Sequence, residues 1–284
     1  MSLVHTIPRD WCDLLGEGPL WSARDNALYW TDILSHRLHR LSLDGGELKM
    51  WQFDDYLGWA VERQAGGLIL GVGRSFVRFD PETGAREIIA SPEPDREGNR
   101  INDAKADSRG RIWAGTMSIS CEDPTGSFYR LDTDGQATRV DGPYTIANGP
   151  AIAADGSFLL HTDTALATIF RFDILDDGTL GPRTPFIAFQ PEWGNPDGMT
   201  FDAEGCLWVA CWGAGQVLRF SPEGMRERAI ALPASQITSC TFAGSALDRM
   251  FVTSASVGVD EPEAGKLFEV DPGCRGLAAQ LYRG

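Results

Sequence analysis

The chain is poor in histidine and in positive charge, has no paired cysteine motif, and carries no long apolar run. Its four histidines, His5, His36, His39 and His161, show no metalloprotease spacing, and His161 reads as a hydrogen-bonded strand residue rather than a ligand. Six cysteines (Cys12, Cys121, Cys206, Cys211, Cys240, Cys274) form no Cys-x-x-Cys pair, and most lie in apolar strand sequence. They are expected to be buried free thiols of a reducing cytosol, with a Cys206–Cys211 disulfide disfavoured. Lys and Arg number 25 against 40 Asp and Glu, for a net charge of −15. Such a surface repels phosphate, which excludes nucleic acid and anionic membranes as partners. No segment is apolar enough for a bilayer, and M-S-L-V-H-T-I-P-R-D lacks the basic start and apolar core of a signal peptide. A cytoplasmic protein is expected. Helical periodicity is absent as well, which removes helical and leucine-rich solenoids. The Gly-His and Trp-Asp pair of one large interaction-propeller class is also missing.

What is present is a repeat. R-D-N-A-L-Y-W-T-D begins a copy at 24, A-G-G-L-I-L-G-V-G at 65, S-R-G-R-I-W-A-G-T-M at 108 and D-G-S-F-L-L-H-T-D-T at 155. A-E-G-C-L-W-V-A-C-W at 203 and A-L-D-R-M-F-V-T-S at 246 complete the series. The first strands centre near Leu28, Leu68, Ile112, Phe158, Leu207 and Met250, spaced by 40, 44, 46, 49 and 43 residues. Apolar and polar residues alternate over short runs that end in Asp-Gly, Glu-Gly, Thr-Gly or Pro-Gly, the pattern of strands joined by hairpin turns. Units of this length with about four strands each are propeller blades. The expected fold is all-β, a single six-bladed β-propeller domain over 1–284 with a metal site in its central channel.

If each repeat opens with the inner strand of a blade, the segments just before those strands line one channel mouth. In them Glu17, Trp59, Asn102, Asn148, Asp197 and Ser239 precede the strand centres by 11, 9, 10, 10, 10 and 11 residues. Singly, Asn148-Gly149 and Pro196-Asp197-Gly198 are ordinary turn sequences, and Asn102-Asp103 suits a local backbone turn. Their shared phase says otherwise: residues far apart in sequence converge on one axis. Carboxylate and amide oxygens suit Ca²⁺, Mg²⁺ or Mn²⁺, and they discriminate poorly enough to leave Zn²⁺ and Fe²⁺ open. Arg100 would hold substrate oxygens at the edge of this mouth, or else pair with Glu97 or Asp95. Trp59, Tyr56 and Trp193 are candidates for an apolar wall, with Asp103 and Ser239 as further pocket residues.

L-G-E-G-P-L-W at 15–21, N-R-I-N-D-A-K-A-D-S-R-G-R-I-W-A-G-T-M at 99–117, I-A-N-G-P at 146–150 and P-D-G-M-T-F-D-A-E-G-C-L-W-V-A at 196–210 stand in order along the chain. In these the sequence resembles the regucalcin (senescence marker protein) and gluconolactonase family over essentially its whole length. H-T-D-T at 161–164 and C-W-G-A-G at 211–215 lean toward the bacterial aldonolactonases. The resemblance implies a six-bladed propeller with one divalent metal held by Glu17, Asn148 and Asp197, substrate held by Arg100 and Asn102, and Asp197 handling the proton. It departs from the family at Ile119-Ser120, where regucalcin has an acidic substrate contact, and near Thr145, where regucalcin has a lysine. Both changes bear on sugar preference.

The expected reaction is hydrolysis of a small sugar-acid lactone to its aldonate, by a monomer or weak homo-oligomer. The rivals are a non-catalytic calcium-binding or ligand-sensing propeller, a promiscuous esterase or phosphotriesterase on the same metal, and a protein-interaction propeller without metal dependence.

Overall fold

A computed structural model describes residues 4–284. Six four-stranded antiparallel sheets follow one another as the blades of a propeller. Their innermost strands are Gly16–Ser22, Leu57–Glu62, Asn99–Ala106, Ala147–Ile152, Asn195–Phe201 and Ile237–Ala243. Each contacts the innermost strands of its neighbours, so the sheets close into a ring around a channel. The sixth blade takes its outer strand, Val4–Thr6, from the opposite end of the chain; it pairs with Phe268–Val270 and staples the ring shut. The only helical pieces among the described residues are two single turns, Thr164–Leu166 and Pro191–Trp193.

The repeat reading located the blades but misplaced their inner edge. The strands centred near Leu28, Leu68, Ile112, Phe158, Leu207 and Met250 are the second strands of the blades. The segments read as loops and turns before them are the innermost strands themselves. Sequences such as G-E-G-P-L-W-S and N-P-D-G-M-T-F conceal this because Gly and Pro are ordinarily depleted in strands. An innermost strand has one hydrogen-bonded neighbour, and its free edge faces the channel, where a residue without a ladder donor is tolerated.

Adjacent blades pack through wide apolar faces. Trp30, Trp59, Trp113 and Trp208 are fully buried there. In two blades a buried aspartate pins the second strand. Asp107 accepts from the Arg109 and Arg111 backbone, Arg111 Nε and Trp113 Nε1. Asp202 likewise accepts from the Glu204 and Cys206 backbone, Trp208 Nε1 and Arg219 Nε. The matching Asp-x₅-Trp spacings at 107–113 and 202–208 are therefore structural locks.

At the far mouth the C-terminal segment crosses the channel. It is tied to Leu247 and Ala203 through Gly276 and Arg275, and to Glu62, Gln64 and Gly110 through Tyr282 and Arg283. Residues 277–281 between these anchors make no backbone hydrogen bond. Cys206, Cys211 and Cys240 are buried free thiols as expected, but Cys12 and Cys121 are exposed, because both lie in loops outside the blade interfaces.

Candidate functional site

Every innermost strand carries one extra residue at the same height. From Glu17 to Leu20 the strand advances three residues while its neighbour advances two, from Thr31 to Tyr29. The same slip occurs between Leu57 and Ala60, Ile101 and Ala104, Asn148 and Ala151, and Pro196 and Met199. In blade six it falls between Ile237 and Ser239. Side chains of an innermost strand normally point into the seams between blades. A bulge breaks that alternation and turns a side chain toward the axis. The common phase seen in sequence is thus the phase of the bulge, and it spans two registers. Glu17 and Asn148 are the last paired residues before it, whereas Asn102 and Asp197 lie within it.

Glu17, Arg100, Asn102, Asn148 and Asp197 are all buried and come together at this level. Arg100 donates to Asn102 Oδ1 over 2.6 Å, and Asn102 Nδ2 donates to Asn148 Oδ1 over 2.6 Å and to the Ala147 carbonyl over 2.8 Å. Asn148 Nδ2 donates to Thr164 Oγ1 over 2.9 Å, and that hydroxyl donates to the Pro196 carbonyl over 2.7 Å. One chain of hydrogen bonds thus runs from the guanidinium to the residue before Asp197, crossing blades three, four and five. It orients both amides: Asn148 turns its nitrogen to Thr164 and its oxygen to Asn102. Thr164 went unnoticed in the sequence, although it closes the H-T-D-T motif; its role needs the fold to bring Pro196 beside it.

Glu17 and Asp197 lie within hydrogen-bonding reach of each other. Burial, then repulsion from Asp103, raises the Glu17 carboxyl to about 8. Burial followed by repulsion from Glu17 and Asp103 pushes Asp197 well above the usual carboxylate range. Asp197 Oδ1 is buried without a hydrogen-bond partner. An orphan acceptor and crowded carboxyls are the surroundings that a hard divalent cation would relieve, and the fixed Asn148 oxygen offers a further ligand. The residues therefore fit such an ion. A second acidic group, Asp202, Glu204 and Cys206, does not. Arg219 already bonds to Asp202 and Glu204 there, so a guanidinium fills the place of a cation.

Several sequence expectations change. Arg100 is buried and engages Asn102, and it makes no ion pair with Glu97 or Asp95. Its guanidinium faces the Tyr56 ring at 6.0 Å. Trp59 is not an open wall of this mouth: it is 1 % exposed and packs on Phe76 in the seam of blades two and three. Trp193 packs on Phe189 and Phe220 in the neighbouring core. Asp103 spends its oxygens on the Ala104 and Gly149 backbone N–H groups, bracing the bulge of blade four. Ser239 is buried against Gly198, where any side chain on that glycine would strike its hydroxyl. His161 is not hydrogen-bonded: both ring nitrogens lack partners, and the ring stacks on Phe128 with centroids 3.9 Å apart. Burial holds it neutral, pushing it down to about 3.

Comparison with known proteins agrees with this architecture. The chain is 33 % identical to a 6-deoxy-6-sulfogluconolactonase of Pseudomonas putida, over 95 % of this chain and 96 % of that one. It is 34 % identical to an L-arabinolactonase of Azospirillum brasilense, over 98 % and 95 %. The crystal structure of a calcium-binding protein, regucalcin, from Agrobacterium tumefaciens superposes with a TM-score of 0.94 at 28 % identity, covering 100 % of this chain and 98 % of the other. Residues 15–256 match the family model described as the SMP-30/Gluconolactonase/LRE-like region, and the chain belongs to that family.

Proposed function

We propose that this protein is a metal-dependent lactonase that opens a sugar-acid lactone to the free aldonate. The observation carrying this reading is the pairing of a cation-seeking oxygen cluster with a buried, pre-oriented guanidinium at one level of the channel. Glu17, Asn148 Oδ1 and Asp197 would hold the cation, whose contribution when bound is to polarise a carbonyl oxygen as a Lewis acid. Hard oxygen ligands favour Ca²⁺, Mg²⁺ or Mn²⁺, with Zn²⁺ and Fe²⁺ as the alternatives to be tested.

Arg100 and Asn102 bind and orient the lactone through its hydroxyl or ring oxygens, fixing its carbonyl carbon for attack. Asp197 accepts a proton from water as the water oxygen bonds to that carbon. As the ring C–O bond breaks, the departing oxygen takes the proton back and leaves as a hydroxyl. The seams on either side exclude bulk water, so the orienting hydrogen bonds act at low dielectric. The substrate is a small molecule, and the acidic surface suits neither nucleic acid nor anionic membrane. No helix among the described residues is long and apolar enough to cross a membrane. A cytoplasmic monomer or weak homo-oligomer, built as a single domain, completes the proposal.

The non-catalytic calcium-binding alternative gives Arg100 no task beyond holding Asn102, and a guanidinium beside a cation weakens binding. Acid release from a panel of aldonolactones, with chelated enzyme reloaded by each metal, tests the reading. Turnover should vanish on chelation and return with at least one metal. Full turnover without metal, or none with any lactone, would overturn it.

A further inference from the structure

The chain contains three lysines. Lys49 pairs with Glu47 at the surface, and Lys266 donates to the Arg9 and Trp11 carbonyls. Lys105 lines the central channel instead, below the bulges and away from the site just described. It is half-buried, and its ammonium has no hydrogen-bond or ion-pair partner among the described residues.

Its surroundings are almost free of charge. Ladder register places Trp21, Val61, Ile152, Thr200 and Thr241 at the equivalent position in the other five blades, all of them neutral. Asp103, the one carboxyl lining the same cavity, gives its oxygens to the Ala104 and Gly149 backbone at 2.7 and 3.1 Å; it feels the charge of Lys105 but forms no ion pair with it. The lysine's charge also reaches Cys240 on the opposite blade, easing a thiol that burial has pushed up to about 12. Around it lies a cavity of about 200 Å³, roofed by residues 277–280, with Thr200, Thr241 and Gln280 as further polar contacts. A volume of that size holds several water molecules or one small ion.

A half-enclosed ammonium with no hydrogen-bonded or ion-paired partner gains most from an anion. The roof can admit one, because residues 277–281 are held only at their two ends. We propose that the lower channel is a second ligand site, in which Lys105 binds a small oxyanion under the C-terminal strap. The free edges of the innermost strands offer N–H groups for its remaining oxygens. Phosphate and a sugar-acid carboxylate share the required chemistry. The site is separate from the Arg100 level and stands whether or not the lactonase reading holds.

Thermal unfolding and titration calorimetry of the full chain, with sodium phosphate or sodium gluconate against sodium chloride at equal ionic strength, test it. Wild-type and Lys105→Arg proteins should gain roughly 3–6 °C at saturating phosphate or gluconate. Lys105→Met should gain nothing, while Arg100→Met keeps the gain. A response to one anion alone identifies the source. An equal gain in Lys105→Met, a gain lost only in Arg100→Met, or no gain with either anion would overturn the proposal. If Lys105→Met fails to fold, Lys105→Gln serves in its place.

Discussion

Asn102 donates through Nδ2 to Asn148 Oδ1 over 2.6 Å, across the seam between blades three and four. A residue proposed for substrate thereby orients a residue proposed for metal. The two functions share one hydrogen-bond chain, and removing different links should separate them.

Asn102→Ala deletes the side-chain acceptor of Arg100, leaves it only the longer bond to the Ile101 carbonyl at 3.3 Å, and loosens its guanidinium toward Tyr56. kcat/KM should fall about 100-fold through lost orientation, with metal affinity changed much less. Steady-state kinetics beside metal titration check this; unchanged kcat/KM would move substrate binding elsewhere in the channel.

Thr164→Val keeps the shape but removes the hydroxyl between Asn148 and Pro196. The orphaned amide should cost about 1–3 kcal/mol of stability and weaken metal binding about 10–100-fold. Denaturant unfolding and metal titration read the two effects separately. Wild-type metal affinity in this variant would show that Asn148 needs no support.

Asp197→Ala should abolish metal binding and lower kcat by about a thousandfold or more, with the propeller intact. The metal-free variant should be more stable than metal-free wild type, because a buried, partnerless oxygen and its repulsion with Glu17 are gone. Retained turnover contradicts the assigned role, and a large loss of apo stability contradicts the electrostatics.

Without metal, Glu17 titrates near 8 when folded against an ordinary 4.5, so the native state binds more protons between those values. Stability of the chelated protein should therefore fall as pH rises from about 4.5 through about 8. A bound cation removes that penalty and releases protons on binding. The gap between metal-loaded and chelated unfolding midpoints should widen steadily from pH 5 to pH 8; a constant gap would rule this linkage out.

Much of the fold was legible because strand periodicity and Gly-terminated turns are local signals that recur in each blade. The gathering of Glu17, Arg100, Asn102, Asn148 and Asp197 was legible too, since repetition maps sequence phase onto radial position. Three things were not. The innermost strands read as turns because Gly18, Pro150 and Gly198 sit in bulges on a free edge. Trp59 had the right phase yet packs into a seam, because one residue's shift across a bulge changes the face it occupies. Thr164 and Lys105 carry no local signal at all; their partners or emptiness come from other blades.

By itself, then, the sequence determined an all-β ring of six repeats, its acidic surface, and the small set of oxygen-bearing residues that could converge. Tertiary structure alone decided which of them reach the axis and how they are oriented. The physical reason is the bulge: it overrides the two-residue alternation of a strand, and its partner lies in another strand. Only ring closure then brings blades one, three, four and five to one point, where burial turns ordinary carboxyls into a site that calls for a cation.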